Sequence, residues 1–550
     1  MSSKFWILEG VFYMRRKYLW SACIAVSACA NLWAADWPST GGNPQRDGWG
    51  RNDKYLGKQN IAKGQVKIMY KYKFKNASTG LDALSNPVDL TQLIGWAGFK
   101  ELLIVAGSSN TVFGLDSDLG EHYFTTEFKD VAKPAGPSTA LCSGGMTASV
   151  VLPGNSTGRR TAGGSFARPQ PYVWALTSDG KLRTLRQQDG DGTYIDAAQF
   201  VPAGSKVTGL NLNNNVIYAS TVDSCSGENG LYAAAFTPPQ LPSVPNQPIV
   251  KQAQIDVKSF MTNGSGFSGA GGTTIGTKGT VYGMVAEGKG DVAGTYSDTV
   301  VALDPKTLTV KDYFTPSGTL PALKKGVAAP GVTPALFQWK GKDVLVAGGR
   351  DGKLYLLDGD SLGGSDHKTP LAVSDVVVTP DIDFGGNGIY GTFATWEDEA
   401  NGNTRWIYAS IRGAAAMKTG TNGAAPTGSV VAFKIEDKDG KPTFVQQWVS
   451  RDLVSPAGPV ISNGLVYALS TGENPRLAKK DGTPYTVAEF VKMSKGATLY
   501  ILDASTGKEL WSTGTAATSF SHSGLGFANG RAYFSTYDNT LYAIGVPFER

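Results

Sequence analysis

Several residue patterns in this chain could do chemistry, and each demands a particular element around it. "GSGFSG", Gly264 to Gly269, has the glycine spacing of a dinucleotide turn. That turn needs a strand before it and a helix behind it, so that the helix end can face a pyrophosphate. Here the chain runs into "AGGTTIG", the start of a strand pattern, and the reading fails. "GNSTG", Gly154 to Gly158, spaces Ser156 like a nucleophile elbow. No helix pattern follows it, and only His122, His367 and His522 could act as its base. Carboxylates cluster at "DGDG" from Asp189, "DIDFGG" from Asp381 and "EDEANGN" from Glu397. None completes a twelve-residue calcium loop with its terminal bidentate Glu. Asp-Gly and Asn-Gly also make hairpin turns, so these read as turns and no metal ligand is assigned. His522, in "SFSHSGLGF", precedes the last strand patterns of the chain and is a candidate wall residue of a ligand channel. The competing reading is a hydrogen-bonded structural histidine.

The elements that position such residues show themselves as repeats. "LYILDASTGKELW", Leu499 to Trp511, reads strand, turn, strand, with Ser505-Thr506-Gly507 as the turn. Degenerate copies begin at Thr111, Tyr172, Leu231, Thr299, Lys353 and Ser429, and a last one at Thr540. Runs such as "ELLIVAGS", "DVLVAGG" and "LVYALS" precede them, introduced by small-residue stretches such as "SNPVDL" and "VTPALF". The unit is three strands, a turn and a fourth strand. Glycine supports this: 69 of 550 residues exceeds the average of about 7%. Eight such units predict an all-β fold, an eight-bladed β-propeller of four-stranded antiparallel blades. The last copy lacks its fourth strand, while "QVKIMYKYKF" near the amino end alternates Val66, Ile68, Tyr70, Tyr72 and Phe74 with mostly polar neighbours. This N-terminal strand is expected to pair with the last C-terminal blade and close the ring, removing an open edge.

"LYILDASTGKELW", its copies and the stretch "DWPSTGGNPQRDGW" from Asp36 resemble the quinoprotein-like propeller repeat family, whose repeat is named for pyrroloquinoline quinone (PQQ). The resemblance spans most of residues 36–545, the 499–511 copy lying nearest the repeat consensus. It implies an exported propeller. The family holds both PQQ-dependent alcohol dehydrogenases and non-enzymatic outer-membrane assembly lipoproteins. Its enzymes are expected to carry a vicinal disulfide over the quinone, a Ca²⁺ ligated by Glu and Asn, and a catalytic Asp. This sequence has no adjacent Cys pair, and the segment bearing the acidic site residues has no counterpart. Arg350, in "GGRDGKLYLLDG", matches the position whose Arg or Lys contacts the quinone; it also reads as the lead of an Asp-Gly hairpin turn.

The first 35 residues read as a signal peptide with its true start at Met14: Arg15, Arg16 and Lys17, a short apolar run, then small residues. Cleavage near Ala34 or Ala35 is expected. The alternative is "VSAC", Val26 to Cys29, which resembles a lipobox and would leave a lipidated Cys29. Residues 36–550 then form one propeller domain with loop insertions. The leader's Lys4, Arg15, Arg16 and Lys17 against Glu9 carry +3 of the net +5, leaving about +2, too little to indicate nucleic acid. No later run is long enough to span a bilayer. Outside the leader, Cys142 and Cys225 form one disulfide or stay separate thiols. The expected function is a non-catalytic binding or scaffold module without a cofactor. It would meet a protein or envelope partner through loops on one propeller face, as a monomer in the periplasm or outside the cell. The insertions "GNSTGRRTAGGSFARPQ", "TPPQLPSVPNQP" and "MKTGTNGAAPTG" are expected to be mobile decoration. The alternative function is a divergent dehydrogenase of alcohols or sugars using PQQ and Ca²⁺.

Overall fold

A computed structural model describes residues 36–547, except 52, 54, 78–79, 82, 96–97, 132–138, 141–145, 147–148, 154–171, 194–195, 223–228, 237–254, 263–265, 287–295, 317–330 and 382–385. Cys29, Cys142, Cys225 and Ser156 lie outside these residues, as do the first two insertions.

Eight antiparallel sheets stand in a ring. Blade 1 is Val88–Gly95, Gly98–Gly107, Thr111–Asp116 and Glu121–Glu127, from the axis outward. Blades 3, 4, 5 and 7 repeat this plan, starting at Lys206, Thr273, Ala335 and Val460. Blade 6 (Gly388–Asp398, Thr404–Arg412, Gly428–Lys438, Lys441–Val449) gains Val332–Thr333 as a parallel addition to its inner strand. Blade 2 has Tyr172–Leu176, Lys181–Arg186 and Ala198–Gln199, and Val151 takes the innermost place by bridging Trp174. This corrects one repeat assignment. Every other copy of the motif begins at a third strand, but "YVWAL" is the second strand of blade 2 and "KLRTLR" its third. Trp174 and Leu176 mimic the motif because both central strands of a blade are buried on two faces.

The "LYILDASTGKELW" hairpin shows the local cause of the fold. Ile501 lies opposite Trp511. The Asp503 carboxylate accepts the amides of Ser505 (2.9 Å) and Thr506 (3.0 Å), and Gly507 closes the turn at φ +70°. A Cβ at Gly507 would also sit 2.4 Å from the Trp448 ring, so both torsion and space require glycine.

Blade 8 is made of both ends of the described chain. Gly526–Ala528, Arg531–Ser535 and Thr540–Gly545 receive Lys67–Lys73 as their outer strand. Its alternation is not a single face, because a bulge between Ile68 and Tyr70 switches sides. Val66 and Ile68 pack toward blade 7 with Leu465 and Phe534, whereas Tyr70, Tyr72 and Phe74 pack toward blade 1 with Leu103 and Phe113. Cores of this kind fill the spaces between blades; between blades 5 and 6, Phe337, Leu356, Phe393 and Ile407 pack into a largely apolar seam, with the Arg405 guanidinium 5.2 Å over the Phe337 ring.

Residues 36–50 make a circuit of the central channel. Trp37 exchanges two backbone hydrogen bonds of 2.9 Å with Asp89 of blade 1. The Pro38 carbonyl accepts from Leu152 of blade 2, and the Pro44 carbonyl from Ile275 of blade 4 and the Asn211 side chain of blade 3. Gln45, Asp47 and Gly48 accept from Leu336, Thr395 and Ile461 of blades 5, 6 and 7, and Trp37 meets the Phe527 ring of blade 8 at 6.3 Å. The channel is plugged.

The "MKTGTNGAAPTG" insertion, expected to be loose, is fastened. Met417 is buried in the seam between blades 5 and 6, and the Asn422 amide donates to the carbonyls of Val449 (3.0 Å) and Thr506 (2.9 Å). Among the described residues no helix is long and apolar enough to cross a membrane.

Candidate functional site: an axial funnel

A cavity of about 250 Å³ opens above the plug, with Trp37, Thr40 and Gly41 as its floor. Its walls come from the residues that lead into and out of inner strands, chiefly of blades 6, 7 and 8. Glycine lets neighbouring blades converge here. A Cβ at Gly391 (φ +79°) would lie 2.7 Å from the Gly458 amide nitrogen, and one at Gly269 (φ +90°) 2.2 Å from that of Thr333. So Gly269, the last glycine of "GSGFSG", serves blade packing: it lines the cavity and the chain continues into strand Thr273–Ile275, while Gly264 and Ser265 lie outside the described residues.

The wall's charged centre is Glu473. It leaves the second strand of blade 7 and is 4% exposed. Arg412, at the end of the second strand of blade 6, reaches it at 2.9 Å, while its guanidinium lies 4.0 Å over the Tyr390 ring. His522 Nδ1 pairs with the other carboxylate oxygen. Burial alone would raise Glu473, yet His522 and Arg412 hold its carboxylate below the usual range. Arg476 and Lys206 add positive charge to the lining; Arg476 lies 3.6 Å from Asp381. Beneath the floor, Arg46 is fully buried. It donates to the Ser39 hydroxyl (2.7 Å) and to the carbonyls of Thr40, Leu210 (2.7 Å) and Thr273 (3.0 Å). Burial pushes its guanidinium down to about 9.

His522 thus stands in the funnel wall. Arg350 does not line the cavity: it is buried at the turn between the second and third strands of blade 5, where it grips Asp298 of blade 4 with two bonds of 2.9 and 2.7 Å. Asp189 sits in a turn on Arg186, Glu397 ends a strand on Arg405, and residues 382–385 of "DIDFGG" lie outside the described residues. Sequence reasoning missed Arg46, Arg412 and Glu473. Arg46 had a signal, a charge amid the Gly- and Pro-rich "GGNPQRDGW"; the other two sit in ordinary strand ends 61 residues apart.

These residues do not fit a quinone with Ca²⁺. Glu473 is the one carboxylate among the described lining residues, and two cations already hold it. Among the described residues no three His, Cys, Asp or Glu side chains come together as an ion site.

The same architecture recurs in solved structures. A quinohemoprotein alcohol dehydrogenase from Comamonas testosteroni superposes with a TM-score of 0.56 at 12% identity, covering 94% of this chain and 81% of that one. The ADHIIG enzyme of Pseudomonas putida HK5 gives the same values. A europium-containing methanol dehydrogenase gives 0.51 at 11% identity, covering 92% and 89%. At such identities the likeness is one of fold. A family model described as outer membrane protein assembly factor BamB matches residues 477–546, the second half of blade 7 and blade 8. The resemblance to the PQQ-like repeat propellers holds. Comparison with curated protein sequences finds no match.

Proposed function

We propose that this PQQ-like propeller is an exported, non-catalytic binding or scaffold module of the periplasm or envelope, meeting a partner through the loops of its funnel face. One observation carries the reading: Glu473, the funnel's carboxylate, is spent on Arg412 and His522. It is neither a free base nor a spare ion ligand. A general base must be able to reach and accept the substrate's proton, and a buried carboxylate between two cations is poorly placed to do so. The plug makes the funnel blind, so whatever enters leaves by the same mouth. The BamB-like match over blades 7 and 8 agrees with a role in assembly rather than turnover.

The second reading, a divergent quinoprotein dehydrogenase, draws on the fold likeness and on the cations of the funnel wall. Purified mature protein with added PQQ and Ca²⁺ separates the two. We expect no dye reduction above the apo control with simple alcohols or sugars, and no stoichiometric Ca²⁺-dependent quinone binding by calorimetry. Substrate-dependent reduction would sink the non-catalytic reading. Mass spectrometry of the mature amino terminus distinguishes cleavage near Ala34 or Ala35 from lipidated Cys29.

A further inference from the structure

The seam between blades 8 and 1, where the closing strand meets the start of the ring, holds buried acids instead of a purely apolar core. Asp89, on the inner strand of blade 1, is 1% exposed; neither of its carboxyl oxygens meets a donor in good hydrogen-bond geometry among the described residues, and the neighbouring Ser117 hydroxyl offsets its burial only in part. Glu101, on the next strand, takes Arg531 of blade 8 at 3.0 Å and the Asn529 amide, with the Ser117 hydroxyl at 3.5 Å. Arg531 is shared, since its other nitrogen meets Asp118 at 2.7 Å. Asp36 of the axial segment faces Asp89 from the channel side, bonded to Thr91 at 2.9 and 2.8 Å. Asp116 lies on the third strand of blade 1, paired with Lys100 at 2.6 Å. From blade 8 the facing groups are Tyr533, buried, and Tyr70 of the closing strand, whose hydroxyl donates to the Ser117 carbonyl at 2.9 Å.

We propose that this seam is a proton-dependent latch: it is tight while Asp89 and Glu101 keep protons beside a single arginine, and it loosens as the medium turns alkaline. The reason is the ratio of charges. One fully buried guanidinium, turned partly toward the exposed Asp118, cannot compensate both Asp89 and Glu101, and an uncompensated buried carboxylate is costly. Burial and the neighbouring acids accordingly push both groups up, Asp89 well above the usual range and Glu101 to about 7. A protein outside the cytoplasm meets the pH of its surroundings, so its ring would sense alkalinity at its closing joint.

Hydrogen–deuterium exchange on the full mature chain at about pH 5.5 and about pH 8.5, corrected for intrinsic rates, tests this. Peptides covering residues 67–73, 88–91 and 531–535 are expected to lose about tenfold in protection at the higher pH relative to residues 430–433, whose Val431 and Phe433 belong to the apolar seam. In Asp89→Asn/Glu101→Gln the two seams are expected to respond alike. An equal response in the wild type, or a difference that survives both substitutions, overturns the proposal. If the double variant does not fold, Glu101→Gln alone must shrink the difference, and an unchanged difference counts against the latch.

Discussion

Glu473 in the funnel wall and Glu101 in the closing seam are both buried and both bonded to an arginine, yet they are displaced in opposite directions. Glu473 lies below its usual range, between Arg412 and His522. Glu101 lies above it: burial is the largest cause, Asp118 adds to it, and Arg531, divided between Glu101 and Asp118, offsets them only in part. Burial acts the same way on both. The number of counter-charges per acid decides the sign, so an arginine contact alone does not tell whether a buried carboxylate stabilises the fold as an anion or as an acid.

That contrast can be broken from either side. The largest effect is expected for Arg531→Met, which strips the seam of its cation. Losing one partner of a buried pair costs about 3–5 kcal/mol, and urea denaturation at about pH 8 should show it more strongly than at about pH 5, where the seam acids are protonated. Arg412→Met should cost less, about 1–3 kcal/mol in the same measurement, since His522 remains on Glu473 and the arginine is partly exposed.

A pH series sharpens the comparison further. In the unfolded chain Glu101 ionises near 4.5, while folded it keeps its proton to about 7. Its contribution is therefore whole below about pH 4.5, shrinks as pH rises through that window and is flat above it; Glu101→Gln should flatten this part of the curve, an effect of about 1–3 kcal/mol. Glu473 works the other way. Its contribution is present above the usual glutamate range and is lost as pH falls, so Glu473→Gln should remove the smallest and most acidic step, read as the shift of the low-pH midpoint.

The ring was legible in the sequence because a propeller repeats its instructions. Turns of the Asp503-Gly507 kind recur in blades 1 and 4, where Asp116 and Asp304 accept the amides that follow them, buried central strands recur around the ring, and the missing fourth strand after Thr540 pointed to Lys67–Lys73. Blade 2 was misframed since Tyr172–Leu176 is as apolar as a third strand, and the bulge at Ile68 was invisible because both faces it serves are apolar. Of the funnel's charged wall only His522 was legible, from its place before the last blade. Glu473, Arg412 and His522 belong to three different blades, and their meeting depends on how the ring converges, which no local spacing records.

The axial segment also sets an order of events. Residues 36–50 are made early, yet their partners include Ile461 and Phe527, more than 400 residues further on. Contacts of such sequence separation form late and slowly, since loop closure must come first. The plug can meet the earlier blades first, but its contacts with blades 7 and 8 must wait until those blades exist. Completion of the channel is then the final step of folding, and a chain truncated before blade 8 would leave residues 36–50 without a full set of partners.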